Sequence, residues 1–391
     1  MDIHEWIRER KSDSGEVVYN ATMKKPSDGD ILVVGAAHPD IFADYERSQA
    51  DYVDKVGELQ YSIGGTAYNI AINLGQKYTD VALYTYIKKD SIFADLITRR
   101  LERNGVKTDF VQYSSHIPES GFVGIREDGD LVSAVTASGL TKVTFNERAL
   151  ETAIEGAALV VLDCNLSEKQ IGLTLEIANK HNKKTIVSGV SESKSLRVKN
   201  ARANITLFAI NYEEACHFFD CTDITPEKLS AFQTEHDIEN IVVTNGNDGY
   251  MVADASGTTN YTAPQVDHVV SSSGAGDALL AGICHTVYEK GDLQWDLADD
   301  KISEYISDVL RHEGSTLGAT TTRNELNVRD RVNKQVRKMA RYSRLEKAGI
   351  IVGLLSAVVT VSSYLFGYVS VDMVRVFVED LISLYLALGF R

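Results

Sequence analysis

The first sustained apolar run is ILVVGAA, residues 31–37, closed by glycine and alanine. A run of this length without polar alternation predicts a strand buried on both faces of a parallel sheet. Five more of the kind follow: DVALYTYI (80–87), ALVVLDCN (158–165), KTIVSGV (184–190), ITLFAIN (205–211) and NIVVTNG (240–246). Between them, SIFADLITRRLERNG and EKQIGLTLEIANKHN place apolar residues at helical spacing. The alternation predicts a doubly wound α/β domain with a mostly parallel sheet. Two segments depart from it. YVDKVGELQYSI (52–63) and SGFVGIREDGDLVSAVTA (120–137) pattern as strands, the second with a DG turn inside it. They predict a small β lid, about residues 45–63 and 118–137, over the carboxyl edge of the main sheet.

The ends differ from this body. Residues 1–28 are polar and read as an N-terminal extension, with the main domain over 29–328. Residues 329–347 form a basic linker, in which 331–347 hold seven basic residues and one acid. Residues 348–371 then contain no charge. As a helix they reach about 36 Å, enough for a hydrocarbon core of about 30 Å, so a C-terminal transmembrane helix is expected. A hydrophobic helix buried in an oligomer interface is the alternative. The basic run before the span is the positive-inside signal, which places the main domain on the cytoplasmic face of a cell membrane, single-pass. Gly349 and Gly353 have the spacing for close helix pairing, so a homo-oligomer is an open expectation. Residues 372–391 include Arg375, Glu379 and Asp380 and read as an amphipathic tail at the interface, with a returning hairpin as the other option.

Composition narrows the classes. With 391 residues, 44% hydrophobic and 24% charged, the chain can bury a full core. Its net charge of −15 repels phosphate backbones, which excludes nucleic acid as a partner. Cys164, Cys216, Cys221 and Cys284 lack the paired spacing of a zinc site and read as reduced, mostly buried thiols. The N-terminus MDIHEWIRERKSDSGE has no apolar run of the secretory kind.

The chemistry concentrates in SSSGAGDALLAGI, residues 271–283. Gly274, Ala275 and Gly276 leave backbone N–H groups open at the start of an apolar helix, where they and the helix dipole attract an anion. Asp277 falls in the first turn, placed to take a proton from an alcohol. Read alone, the motif also fits an acid capping a helix after a glycine turn.

GAGDALLAG resembles the C-terminal signature of the ribokinase-like PfkB family, and GGTAYNIAINLG (64–75) resembles its N-terminal signature. GAAHPD (35–40) resembles the family's sugar-binding turn, NYEE (211–214) its N-x-x-E motif, and TNGNDG (244–249) its nucleotide-binding turn. Five ordered matches span residues 35–282. The resemblance implies a ribokinase-like fold and transfer of the terminal phosphoryl group of ATP to a primary hydroxyl of a sugar or nucleoside. It assigns Asp277 as base with Gly274, Ala275 and Gly276 as anion hole. Asp40, Gly64, Gly65 and Asn69 would hold the substrate; Thr244, Gly246, Gly249 and Asn211 the nucleotide; Asn211 and Glu214 would organise Mg2+, largely through water.

Some positions depart from the pattern. Ser271 stands where the family commonly has an acid, so monovalent-cation activation is not carried over, and Lys88 and Ala94 replace glycines of the substrate-side loop. The stretches GFVGIREDGDLVSAVTASGL, LVVLDCNLSEKQI and VSESKSLRV are similar to the middle of pseudouridine kinases, which implies a nucleoside acceptor phosphorylated at its 5′-hydroxyl. The competing expectation is a sugar- or nucleoside-binding or oligomer-forming protein that keeps the kinase fold with weak catalysis.

Overall fold

A computed structural model describes residues 29–317 except 50–53, 78–79, 202, 264–265, 267–268, 270–273, 292, 294–299 and 312–315, together with 10–11 and 17–18. The chain divides into two units, Met1–Thr322 and Arg323–Arg391, and every described residue belongs to the first. A short ladder, β1 (Arg10–Lys11) with β2 (Val17–Val18), precedes the domain.

The apolar runs form the centre of a ten-stranded sheet. β3 (Asp30–Val34), β6 (Val81–Lys88), β11 (Ala157–Asp163), β12 (Lys184–Ser188), β13 (Ile205–Asn211) and β14 (Ile238–Thr244) lie parallel in the order β14-β13-β12-β11-β3-β6. Every residue of β3 is buried, as a strand covered on both faces requires. β7 (Val106–Lys107) and β8 (Val111–Ser114) pair with β6, while the antiparallel hairpin β15 (Tyr250–Asp254) and β16 (Gly257–Tyr261) closes the other edge. Helices cover the faces: α1 (Thr66–Lys77), α2 (Ala94–Arg103), α3 (Glu147–Gly156), α4 (Glu168–Lys180), α5 (Glu192–Ser195), α6 (Tyr212–Phe218), α7 (Pro226–His236), α8 (Ala275–Lys290) and α9 (Asp300–Leu310). Local chemistry sets their starts. Ser167 and Gln170 exchange hydrogen bonds in a capping box before α4, and Thr225 caps α7 with Pro226 at its first position.

The lid is a four-stranded sheet in the order β10-β9-β4-β5, from β4 (His38–Tyr45), β5 (Gly57–Gly64), β9 (Gly121–Glu127) and β10 (Asp130–Ala137). Asp128 and Gly129 both adopt positive φ between β9 and β10, which the DG pair predicts. The unforeseen strand is β4. HPD reads as a turn because proline and aspartate disfavour strands, yet Pro39 stands next to the strand's start, where a missing N–H is tolerated. The rest of β4 is secured by pairing on both sides, antiparallel to β5 and parallel to β9.

Cys164 and Cys284 are buried, Cys216 and Cys221 half-buried, and all four are free. Among the described residues no helix is long and apolar enough to cross a membrane. The basic linker at 329–347, the expected span at 348–371, the tail at 372–391 and Ser271 lie outside the described residues, as does most of 1–28.

Candidate active site

The carboxyl ends of the parallel strands meet the amino ends of α1 and α8, where an open α/β sheet places its ligands. The approach to α1 is set by two glycines. Gly65 has φ +100°, and a Cβ there would run into the Ala36 carbonyl oxygen; on Gly64 it would run into the Asp40 carboxylate. The lid residue Asp40 is therefore held against the glycine turn. Its Oδ1 lies 3.0 Å from His38 Nδ1 but is buried with no hydrogen-bond partner among the described residues.

α8 begins at Gly274, whose φ of +84° favours glycine. Ala275 and Gly276 follow, and among the described residues nothing crowds the position a Cβ on Gly276 would take, which leaves room for a ligand to approach the backbone. One turn in, Asp277 meets α1: Asn69 Nδ2 donates to Asp277 Oδ2 at 2.8 Å. The contact joins residues 208 positions apart and so brings the two glycine-rich segments together. The oxygen of the same amide, Asn69 Oδ1, is buried and has no hydrogen-bond partner among the described residues. Burial of its carboxylate pushes Asp277 up to about 7, with the Asn69 bond pulling down and the charges of Asp163 and Glu214 pushing further up. The residue as a whole keeps intermediate exposure, so burial here means a carboxylate walled by protein at a site still open at its mouth. A first-turn acid would gain from the helix dipole, but removal from water outweighs it.

On the other side of the site Asn211 and Thr244 stand opposite each other at the ends of β13 and β14. Asn211 caps α6: its Oδ1 accepts from Glu214 N at 2.8 Å, while its Nδ2 and N donate to Glu214 Oε1 and Oε2 at 3.0 and 3.2 Å. Both groups expected to organise a metal thus hold each other in a capping box, and Glu214 is buried, which raises its pKa. Among the described residues no group of three His, Cys, Asp or Glu side chains could hold a metal directly, so the pair fits a role through water. Beyond Thr244, Gly246 and Gly249 both take positive φ, and a Cβ on Gly249 would strike the Tyr261 carbonyl.

Four residues of the site were not singled out from the sequence. Asp163, fully buried at the end of β11, accepts from Ala36 N (3.2 Å), Ala67 N (2.9 Å), and Asn165 N and Nδ2 (both 3.0 Å). It ties the loop after β3, the start of α1 and the loop after β11 into one knot, and burial raises its pKa against those four bonds. Asn165 Oδ1 accepts from Lys194 Nζ at 2.8 Å, and Arg197 Nη1 donates to the carbonyls of Cys164, Asn165 and Leu166. An acid closing the apolar run LVVLD was the signal available for Asp163.

Known proteins align with this arrangement. The profile of the pfkB family carbohydrate kinases matches residues 28–296. The chain is similar to the pseudouridine kinase of Escherichia coli K12, 26% identical over 260 residues, 65% of this chain and 82% of that one. Its fold resembles Arabidopsis thaliana ribokinase complexed with ribose and ATP (TM-score 0.61, 17% identity, 76% of this chain and 97% of that one). It also resembles Burkholderia thailandensis nucleoside kinase in complex with inosine (TM-score 0.58, 16% identity, 76% and 96%). With the family profile matching well over half its length, the chain belongs to the pfkB family of carbohydrate kinases and is a phosphotransferase with an alcohol group as acceptor.

Proposed function

We propose that the protein transfers the terminal phosphoryl group of ATP to a primary hydroxyl of a nucleoside, with a pseudouridine-like acceptor favoured and with Asp277 as base. The observation that carries this reading is the Asn69–Asp277 bond, which leaves one oxygen of a carboxylate titrating at about 7 beside the orphaned Asn69 Oδ1. An acceptor alcohol would give its one proton to the free Asp277 oxygen, which leaves Asn69 Oδ1 to accept from a second hydroxyl of the substrate. That proton passes to Asp277 as the alcohol oxygen attacks the phosphorus, and a pKa near the operating pH suits a general base. The amides of Gly274, Ala275 and Gly276 stabilise the charge on the transferring group, so little covalent work falls to the protein. Asp40, with Gly64 and Gly65 beneath it, holds further hydroxyls. Thr244, Gly246, Gly249 and Asn211 line the nucleotide side. Asn211 and Glu214 would hold Mg2+ through water, where the ion neutralises charge on the outer phosphates. The lid excludes water that would otherwise hydrolyse ATP. The similarity to a pseudouridine kinase favours the nucleoside over a free sugar. The uncharged run 348–371 behind a basic linker supports a single membrane span with the kinase domain cytoplasmic.

The test is ATP turnover by purified protein on pseudouridine, other nucleosides, ribose and fructose 6-phosphate. Nucleosides should exceed the sugars. Phosphorylation of free sugars alone would overturn the acceptor assignment, and magnesium-ATP binding without turnover on any alcohol would favour a binding protein that keeps the fold.

A further inference from the structure

The turn after β12 holds groups with no part in the steps just described. Gly189 sits so close to Glu214 Oε2 that it has no room for a Cβ. Val190 follows with φ +80°. A β-branched residue in the left-handed region is strained, and such strain persists only where the surroundings hold it. The short helix α5 follows, and its Lys194 reaches Asn165, which is bonded to the Asp163 that holds Ala36 N and Ala67 N. Lys194 is half-buried, and removal from water lowers its pKa while the carboxylates of Asp163 and Asp40 oppose that. Its one hydrogen bond among the described residues goes to Asn165 Oδ1 at 2.8 Å. Asn165 Nδ2 in turn donates to Asp163, so the amide is fixed from both sides and the ammonium with it. Arg197, three residues on, is spent on three carbonyls and holds the turn after β11. Lys194 has two further N–H donors that no described protein group accepts, and the charge of Asp40 is felt at its ammonium. At half-exposure those donors can face a ligand's hydroxyl, and a charge-assisted bond to one is stronger than a neutral bond.

We propose that Lys194 is a specificity-determining residue for the acceptor: its ammonium, oriented by Asn165, donates to a ring hydroxyl of the acceptor's ribose, opposite the hydroxyl that Asp40 accepts from. The cation and the carboxylate together read a vicinal diol. This rests on the nucleoside-kinase reading of the same site, and the bland alternative is a lysine that only pins Asn165.

The experiment compares the full-length wild type with Lys194→Met and Lys194→Gln on a ribonucleoside and its 2′-deoxy and 3′-deoxy analogues. Lys194→Met should lose about 10- to 100-fold in kcat/KM on the ribonucleoside, mainly in KM. On the analogue lacking the contacted hydroxyl it should lose less than about threefold, so the wild-type preference collapses. KM for ATP should not move. Lys194→Gln keeps a donor and should fall between the two; it carries the comparison if the methionine variant fails to fold. Equal losses on all three acceptors, with the preference intact, would mean a structural lysine and overturn the proposal. A wild type active only on free sugars would sink the nucleoside reading and this inference together, whereas an active wild type with an unmoved preference sinks this inference alone.

Discussion

Replacing Asp277 by asparagine should inactivate the enzyme and stabilise the unliganded protein, because both effects come from one buried carboxylate. Asp277 titrates at about 7 in the folded site against 3.8 for an ordinary aspartate. A carboxyl whose folded pKa is raised contributes its full share to stability below the unfolded value and loses it as pH rises through the folded one. At pH 8 the folded protein therefore carries a buried charge costing on the order of 4 kcal/mol, and at pH 5 only about 2 kcal/mol. Asparagine keeps the shape and can still accept from Asn69, but never ionises. Its advantage over wild type should grow by about 2 kcal/mol between pH 5 and pH 8, a shift of roughly 4 °C in melting midpoint for a domain of this size. Thermal melts followed by near-UV circular dichroism, without nucleotide, read this directly. Turnover at pH 8 should fall by about 10³-fold with ATP binding intact. A midpoint difference that is the same at both pH values would refute the burial of Asp277, and unchanged turnover would refute its role as base.

Two more outcomes follow from the site and the tail. Asn69→Ala removes the bond that lowers the Asp277 pKa, so the acid limb of the kcat/KM profile should move to higher pH, with activity at pH 7 reduced roughly 10-fold; an unmoved limb would show that Asn69 does not touch the ionised base. The full chain should sediment with membranes while a chain ending at residue 328 stays in the soluble pool, and recovery of the full chain in the soluble pool without detergent would refute the span.

The central strands were legible because a strand covered on both faces has no polar positions to disguise it. The first glycine segment has a structural reason at each glycine, the Asp40 carboxylate against Gly64 and the Ala36 carbonyl against Gly65, and the second has the positive φ of Gly274. β4 was not, since HPD has the composition of a turn and becomes a strand only through pairing with β5, the next strand, and with β9, 82 positions away. Lys194 was hidden for a related reason: SESKS looks like a solvated surface, and only the position of Asn165, 29 residues earlier, makes its lysine part of a site. Asn211 and Glu214 show a third case, in which a three-residue spacing satisfies a capping box and a catalytic motif at once, so the pattern alone does not separate them.

Two of the lid's connections to the body of the domain are short. β4 leaves β3 through only Gly35, Ala36 and Ala37, and β5 enters α1 through Gly65 alone, so whatever settles on the lid pulls directly on the helix that grips Asp277. Occupancy of the acceptor pocket and proton affinity of the base are then two readings of one displacement. By reciprocity, an acceptor whose hydroxyl donates to the ionised Asp277 must itself be held more tightly as the solution turns alkaline.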